Sequence, residues 1–196
     1  ISIADRDYFL RLRDTPDAGL AVSGPLVGRV SGNWNLALAR RLNNQDGSFA
    51  GLVVAVIGIS NFEPVFSRVS LGEHGAATIR NTDLALIYRQ SAVPTQSSAI
   101  GSREVSSALQ DAVRAHPNAG RFVATTTLDG IERANAYRRI PGLPFYVIVG
   151  LATDDYLGGW RSSTVLVAIL TAMVVAITAL SLTMIYRAAR HHEVDA

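Results

Sequence analysis

Between Arg161 and Arg187 the chain carries no charged residue, and the middle of that run is Val, Leu, Ile, Ala and Met with scattered Ser and Thr. Few folds are open to such a stretch. At about 1.5 Å per residue, a helix over residues 162–186 reaches roughly 37 Å, enough to cross a hydrocarbon core of about 30 Å with some tilt. A helix of a soluble protein keeps a polar face, and this run has none. We therefore read it as a transmembrane helix, with the lipid bilayer as a partner of the chain. Tyr156 and Trp160 before the run and Tyr186 at its end stand where amphipathic rings meet the two headgroup levels. Arg187, Arg190, His191 and His192 follow the helix, whereas Arg161 stands alone before it, near Asp154 and Asp155. The basic bias puts the C-terminal side in the cytoplasm. The margin is one arginine, so a tail-anchored arrangement with residues 1–155 in the cytoplasm is the rival topology.

Composition narrows the function classes. A hydrophobic content of 48% is rich for a purely soluble chain. The net charge is only +2, and all of the basic residues outside histidine are arginines spread along the chain rather than gathered with aromatics on one face. That pattern excludes nucleic acid as a partner. Without cysteine there is no disulfide framework, thiolate zinc site or thiol nucleophile. No nucleophile elbow, phosphate loop, zinc-protease helix or calcium loop occurs, so neither a cofactor nor an enzyme activity is expected within the chain. His191-His192-Glu193 is not a metal site on this reading, because adjacent helical histidines point apart. Asp154 and Asp155 suit the positive start of a helix better than an acid–base pair. Ile1 is not a start methionine and the tail stops soon after the apolar run, so the chain reads as a piece of a longer protein.

Residues 1–155 alternate between strand and helix patterns. Tyr8, Phe9 and Leu12 line one face of a helix over 5–13, and Thr15-Pro16-Asp17-Ala18-Gly19 ends it. Residues 33–42 alternate, with Trp34, Leu36, Leu38, Arg40 and Leu42 on one side. A turn at 43–48 leads into the apolar, β-branched run 49–59, which makes the pair an antiparallel hairpin. Ser60 can cap a helix over 61–69. Strands then follow over 74–80 and 84–89, a helix over 104–116, and strands over 121–128 and 131–140 around an Asp129-Gly130 turn. Residues 145–151 form a last strand, and Thr153 caps the helix that enters the membrane.

These segments, taken together, resemble a known family. The run Asp5-Arg6-Asp7-Tyr8-Phe9, then Gly32-Asn33-Trp34, then the stretch from Ala39-Arg40-Arg41-Leu42 through Asp46-Gly47-Ser48-Phe49 to Val53-Val54-Ala55, is similar to the double Cache (PDC, PAS-like) sensor domains of bacterial transmembrane receptors, above all those preceding diguanylate cyclase or histidine kinase modules. Leu128-Asp129-Gly130-Ile131-Glu132-Arg133, Ala136-Tyr137-Arg138-Arg139-Ile140 and Val149-Gly150-Leu151-Ala152 match the membrane-proximal half in the same order. Two departures stand out. Asn81-Thr82-Asp83 replaces the family's usual Asp-Gly turn, and the close arginine-and-aromatic spacing of the amino-acid-binding branch is not reproduced.

The resemblance implies an α+β fold of two tandem PAS-like modules with antiparallel sheets. Their expected bounds are 1–69 for a membrane-distal module lacking its N-terminal part and 70–155 for a membrane-proximal one. The transmembrane helix with its flanks takes 156–190, and 191–196 starts a cytoplasmic linker. It further implies an upstream membrane helix and stalk, a periplasmic or extracellular sensor anchored in the bacterial inner membrane, a small-molecule ligand and a signalling output beyond Ala196. A chemoreceptor sensor, or a membrane-tethered structural or assembly protein without ligand, is the alternative. In this family the ligand sits in the distal module, which nominates Tyr8, Arg29, Trp34 and Arg40 as ligand-binding residues suited to an organic anion. Arg40 is about 20 Å along the strand from Trp34, so Arg29 with Trp34 is the preferred pair. Thr164, Ala168, Ala172 and Ala176 recur every fourth residue along the membrane helix, a face through which two copies could form a homodimer.

Overall fold

The computed structural model describes residues 2–93 and 99–194, with side chains described throughout except at 156–163 and 185–194. Residues 1–153 form one compact unit and residues 154–196 a second.

The first sheet is built around β3 (Trp34–Asn43), whose alternation is realised as two unlike faces. It pairs along its length with β4 (Phe49–Gly58), antiparallel from Asn35↔Gly58 to Asn43↔Phe49. Gly47 takes φ +82° in the connecting turn, a conformation glycine adopts without penalty. Two short segments, β1 (Ala21–Val22) and β2 (Leu26–Val27), complete the sheet by pairing with β3. Sequence periodicity does not reveal either, because two residues carry no alternation. Helix α1 (Asp7–Asp14) buries Tyr8 and Leu12 against Ala21, Ala37 and Ala39, small residues that let the helix approach closely. Asp7 in its first turn and Arg11 and Arg13 in its last complement the helix dipole.

The opposite face of β3 does different work. Leu36 packs with Ile59, Ile79, Ile87 and Phe145, with Trp34, Phe62 and Phe66 at the edge of that cluster. Ile79, Ile87 and Phe145 belong to the second sheet, so this cluster joins the two sheets into one core. The helix expected over 61–69 is shorter: a 3₁₀ turn (Ile59–Phe62) runs into α2 (Glu63–Phe66), without a side-chain cap from Ser60. Two rings anchor it. Phe62 and Phe66 lie 5.9 and 5.4 Å from the Tyr88 ring, while Val65 and Val69 remain exposed and supply no reason for the helix to continue.

The second sheet is antiparallel throughout, in the order β6-β5-β9-β8-β7, with β5 (Ala76–Asn81), β6 (Leu86–Ser91), β7 (Ala119–Thr125), β8 (Glu132–Arg139) and β9 (Phe145–Ala152). The Asn81-Thr82-Asp83 turn closes with Leu84 at φ +61°, held by a hydrogen bond from the Ala85 N–H to Asn81 Oδ1 at 2.7 Å. Helix α3 (Ser107–Ala115) lies on the face opposite the joint core, burying Leu109 against Tyr137, Tyr146 and Ile148. Ser106 caps it by accepting from the Leu109 N–H at 3.3 Å. Tyr137 and Tyr146 tie its C-terminal end down through their hydroxyls, Tyr137 to the Ala112 and His116 carbonyls at 2.6 and 2.8 Å, Tyr146 to that of Pro117 at 3.0 Å.

The fold is thus α+β with two antiparallel sheets, as expected. The last element, α4 (Thr153–Val194), contains an apolar window, Thr164–Met184, of mean hydropathy 2.7 whose described side chains are all exposed. Thr153, expected as the cap, is its first residue, and its hydroxyl donates to Glu132 Oε1 at 3.2 Å. The aromatic belt residues Tyr156, Trp160 and Tyr186, the arginines at 161, 187 and 190, and His191-His192-Glu193 have side chains outside those described.

Candidate ligand-binding site

Tyr8 and Arg29 line one cleft, of about 370 Å³, with Asp5, Arg6, Arg11 and Ser23 among its walls. Tyr8 reaches it from α1, mostly buried under the helix. The Arg29 guanidinium is already engaged: both of its terminal nitrogens donate to the Asp5 carboxylate, and Nη1 also donates to the Ser2 carbonyl at 2.5 Å. The hydrogen bonds and charge of Arg29 hold the Asp5 carboxyl below the usual carboxylate range. The cation that was to meet an anionic ligand therefore carries its own carboxylate.

Trp34 and Arg40 lie elsewhere. They share the β3 face that looks away from α1, with Trp34 half-buried beside the joint core and Arg40 exposed. Neither lines the Tyr8 cleft. The structure brings Tyr8 together with Arg29 and leaves Trp34 and Arg40 apart from them. Arg41, on the α1 face, is the arginine that turns inward; it donates to the Leu12 carbonyl at 2.8 Å and stacks 5.0 Å above the Phe49 ring.

The densest polar arrangement is in the second sheet, on the face covered by α3. Strand alternation puts Ala76, Thr78 and Arg80 of β5, Arg89 of β6, Arg133 and Asn135 of β8, and Ile148 of β9 around one small cavity. Arg133 is 1% exposed and Arg80 5%, and the Arg89 side chain is 5% exposed. One carboxylate meets them. Asp129 accepts from Arg133 Nη1 and Nη2 at 2.9 and 2.7 Å and also from Arg89 Nη2. Arg133 further donates through Nε to the His74 carbonyl at 2.7 Å. Among the described residues Arg80 reaches only carbonyl oxygens: Leu84 at 2.6 Å, and Ser102 and Glu104 at 3.3 Å each.

These charges perturb one another. Burial together with the nearby Arg89 charge pulls Arg80 down to about 10. Burial likewise lowers Arg89, against the opposing pull of Asp129. Burial would raise the Asp129 carboxyl, but hydrogen bonds from Arg133 and the charge of Arg89 outweigh it and leave the group below its ordinary value. Gly150 makes the cluster sterically feasible: a Cβ there would stand 2.3 Å from Asn135 Oδ1 and 3.0 Å from Arg133 Cδ, so the Arg133 stem lies across a position that only glycine leaves open.

Sequence reasoning treated Asp129 as a turn residue and passed over Arg80, Arg89 and Arg133. The signal was available in phase: Thr78 and Arg80, like Arg133 and Asn135, sit two apart in strand segments and share a face. The short Asp129-Gly130 turn is in fact a longer loop. β7 stops at Thr125 and β8 starts at Glu132, and the loop turns the Asp129 carboxylate inward to the arginines instead of leaving it in solvent. Among the described residues no group of His, Asp and Glu is arranged to hold a metal ion.

Comparison with known proteins agrees with this architecture. No curated protein matches the chain in sequence. The solved extracellular domain of rpHK1S-Z16, described as a histidine kinase, is 30% identical with a TM-score of 0.70, covering 82% of this chain and 64% of that one. The periplasmic sensory domain of the Campylobacter jejuni chemoreceptor Tlp1 is 11% identical at TM-score 0.65, covering 78% of this chain and 57% of that one, a likeness of fold alone. The ligand-binding domain of the Pseudomonas fluorescens chemoreceptor CtaA, solved with L-alanine, is 13% identical at TM-score 0.51, covering 79% and 63%. The chain spans less than two thirds of the length of these solved domains. Residues 60–150, which hold the second sheet up to Gly150 together with its arginine cluster, match the family model dCache_1_like, described as a histidine kinase sensor domain; over that stretch the chain is similar to the Cache sensor domains of histidine kinases.

Proposed function

We propose that the chain is the small-molecule input part of a membrane receptor, with its two sheets outside the cytoplasm and its output module beyond α4. The observation that carries this reading is chain continuity. Ala152 ends β9, a central strand of the second sheet, and Thr153 begins α4 without an intervening loop. The strand that borders the buried arginines is therefore the one that leads into the apolar helix. A change of sheet geometry on ligand binding has a direct covalent route to the membrane.

On this reading residues 1–69 and 70–155 are two tandem Cache modules, a division supported by the two separate sheets and by apolar clusters belonging to each. The receptor sits in the bacterial inner membrane with the C-terminal end of α4 in the cytoplasm. It acts as a homodimer through the Thr164, Ala168, Ala172 and Ala176 face, and it catalyses nothing within this chain. A histidine kinase output is favoured over a chemoreceptor or a diguanylate cyclase by the likeness at 30% identity to a domain described as part of a histidine kinase, since the chemoreceptor likenesses concern fold alone.

The test uses the full chain in lipid nanodiscs. Small organic acids and amino acids are screened by thermal shift, and disulfide cross-linking between single cysteines introduced in the apolar helix is followed with and without each hit. At least one compound should raise the melting temperature saturably and change the cross-linking pattern. A chain that binds none of them, and copurifies instead with a fixed protein partner, is a structural anchor and not a sensor.

A further inference from the structure

Arg80, in the arginine cluster of the second sheet, is buried with no acidic partner among the described residues. The Asp129 carboxylate is taken by two of the three buried guanidinium groups, those of Arg89 and Arg133, and among the described residues the third, Arg80, meets carbonyl oxygens and no carboxylate. Glu104 stands at the rim, exposed, and makes no ion pair with any of the three among the described residues. Burying a charge without a counter-charge costs several kcal/mol. Proteins retain such a surplus where something else completes it.

The space beside it is small and shaped. The cavity measures about 50 Å³. At about 10–15 Å³ for each water-sized occupant, it takes roughly four such units, the heavy-atom count of acetate. Arg80 has five N–H donors by its chemistry and gives three hydrogen bonds to carbonyl oxygens, so part of its planar fork is left for a further acceptor. A guanidinium fork matches a carboxylate in two parallel hydrogen bonds, which a spherical halide cannot reproduce. Ala76, Ala124 and Ile148 supply an apolar wall for a methyl group. Ser106 and Leu109 also line the cavity, and Ser106 is the N-cap of α3, so the positive end of that helix faces the same space.

We propose that this cavity, and not the Arg29 cleft, binds a short-chain monocarboxylate of about acetate size, with Arg80 receiving the carboxylate and the Ala124 side accepting the methyl group. This deepens the sensor reading and rests on it for its purpose, although binding itself is measured separately. The bound anion would neutralise the repulsion between Arg80 and Arg89. It would also draw segment 102–104, which Arg80 already holds by the Ser102 and Glu104 carbonyls, onto the sheet beside β6.

The experiment is calorimetric titration of the full chain in nanodiscs with sodium acetate, with acetamide as the neutral isostere and sodium chloride as the halide, at constant ionic strength. Acetate should bind saturably, and acetamide and chloride at least tenfold more weakly. Arg80→Gln should weaken acetate at least tenfold. Ala124→Leu, which fills the cavity and leaves every charge in place, should abolish binding with the fold intact, and it keeps the test decisive if Arg80→Gln does not fold. Equal binding of acetamide or chloride, or unchanged acetate affinity in Ala124→Leu, overturns the assignment. Acetate binding that leaves the helix cross-linking unchanged keeps this site and overturns the sensor reading. A different stabilising compound that is indifferent to Ala124→Leu overturns this site and keeps the sensor reading.

Discussion

Asp129 carries one negative charge for two arginines in direct contact, and its titration should be visible in the stability of the domain. Its folded value lies below the ordinary 3.8, so its contribution is fully present above that value and is lost as pH falls through the depressed one. Asp129→Asn should lower stability at neutral pH by roughly 3–5 kcal/mol, since it leaves buried guanidinium groups uncompensated. The same variant should flatten the acid limb of the melting curve below about pH 4. Thermal melts of variant and parent from pH 7 to pH 2 check both; an acid limb of unchanged slope would mean the carboxylate ionises alike in the folded and unfolded chain. Gly150 offers a second, steric probe. Gly150→Ala should cost about 1–3 kcal/mol, because Asn135 and Arg133 must move from a packed sheet face. None of this was legible at the single-residue level: an arginine in a strand reads as solvated and an Asp before Gly reads as a turn. Only the strand phase of residues 76–80 and 133–135, joined by a loop whose length the sequence does not state, brings them together.

At the scale of elements, the sequence was most informative where periodicity is long. The alternation of residues 33–42 and the β-branched run 49–59 correspond to β3 and β4 within a residue at each end. It failed where a neighbour, rather than the segment, decides the outcome: β1 and β2 exist because β3 offers an unpaired edge, and α2 stops where Tyr88 ceases to hold its rings. Helix α3 was legible in place, yet its attachment was not, since it depends on tyrosines from two distant strands. Tyr137→Phe removes the hydroxyl that serves the Ala112 and His116 carbonyls and should cost roughly 0.5–1.5 kcal/mol. Ser106→Ala removes the cap and should cost about 1 kcal/mol. Amide hydrogen exchange should report both losses first in α3 and only later in β5 and β9. Simultaneous loss of protection across the sheet would show that the helix and the sheet unfold as one unit.

For the whole molecule, the orientation proposed for the apolar window Thr164–Met184 decides whether either candidate site can meet an external ligand. The proposal that residues 1–153 lie outside the cytoplasm rests on the basic residues after the window and on the likeness to the extracellular domain of rpHK1S-Z16. The chain has no cysteine, so a single introduced thiol reports its own location without background. Gln45, in the exposed turn between β3 and β4, is the position to use, because a thiol there disturbs no packing. In cells whose outer membrane has been opened, Gln45→Cys should react with a membrane-impermeant maleimide before lysis as completely as after it. A reporter enzyme that is active only in the cytoplasm, fused after Ala196, should be active in the same cells. Protection of Gln45→Cys until lysis would place the sheets inside, make the chain tail-anchored, and leave the arginine cluster to meet cytoplasmic anions rather than external ones.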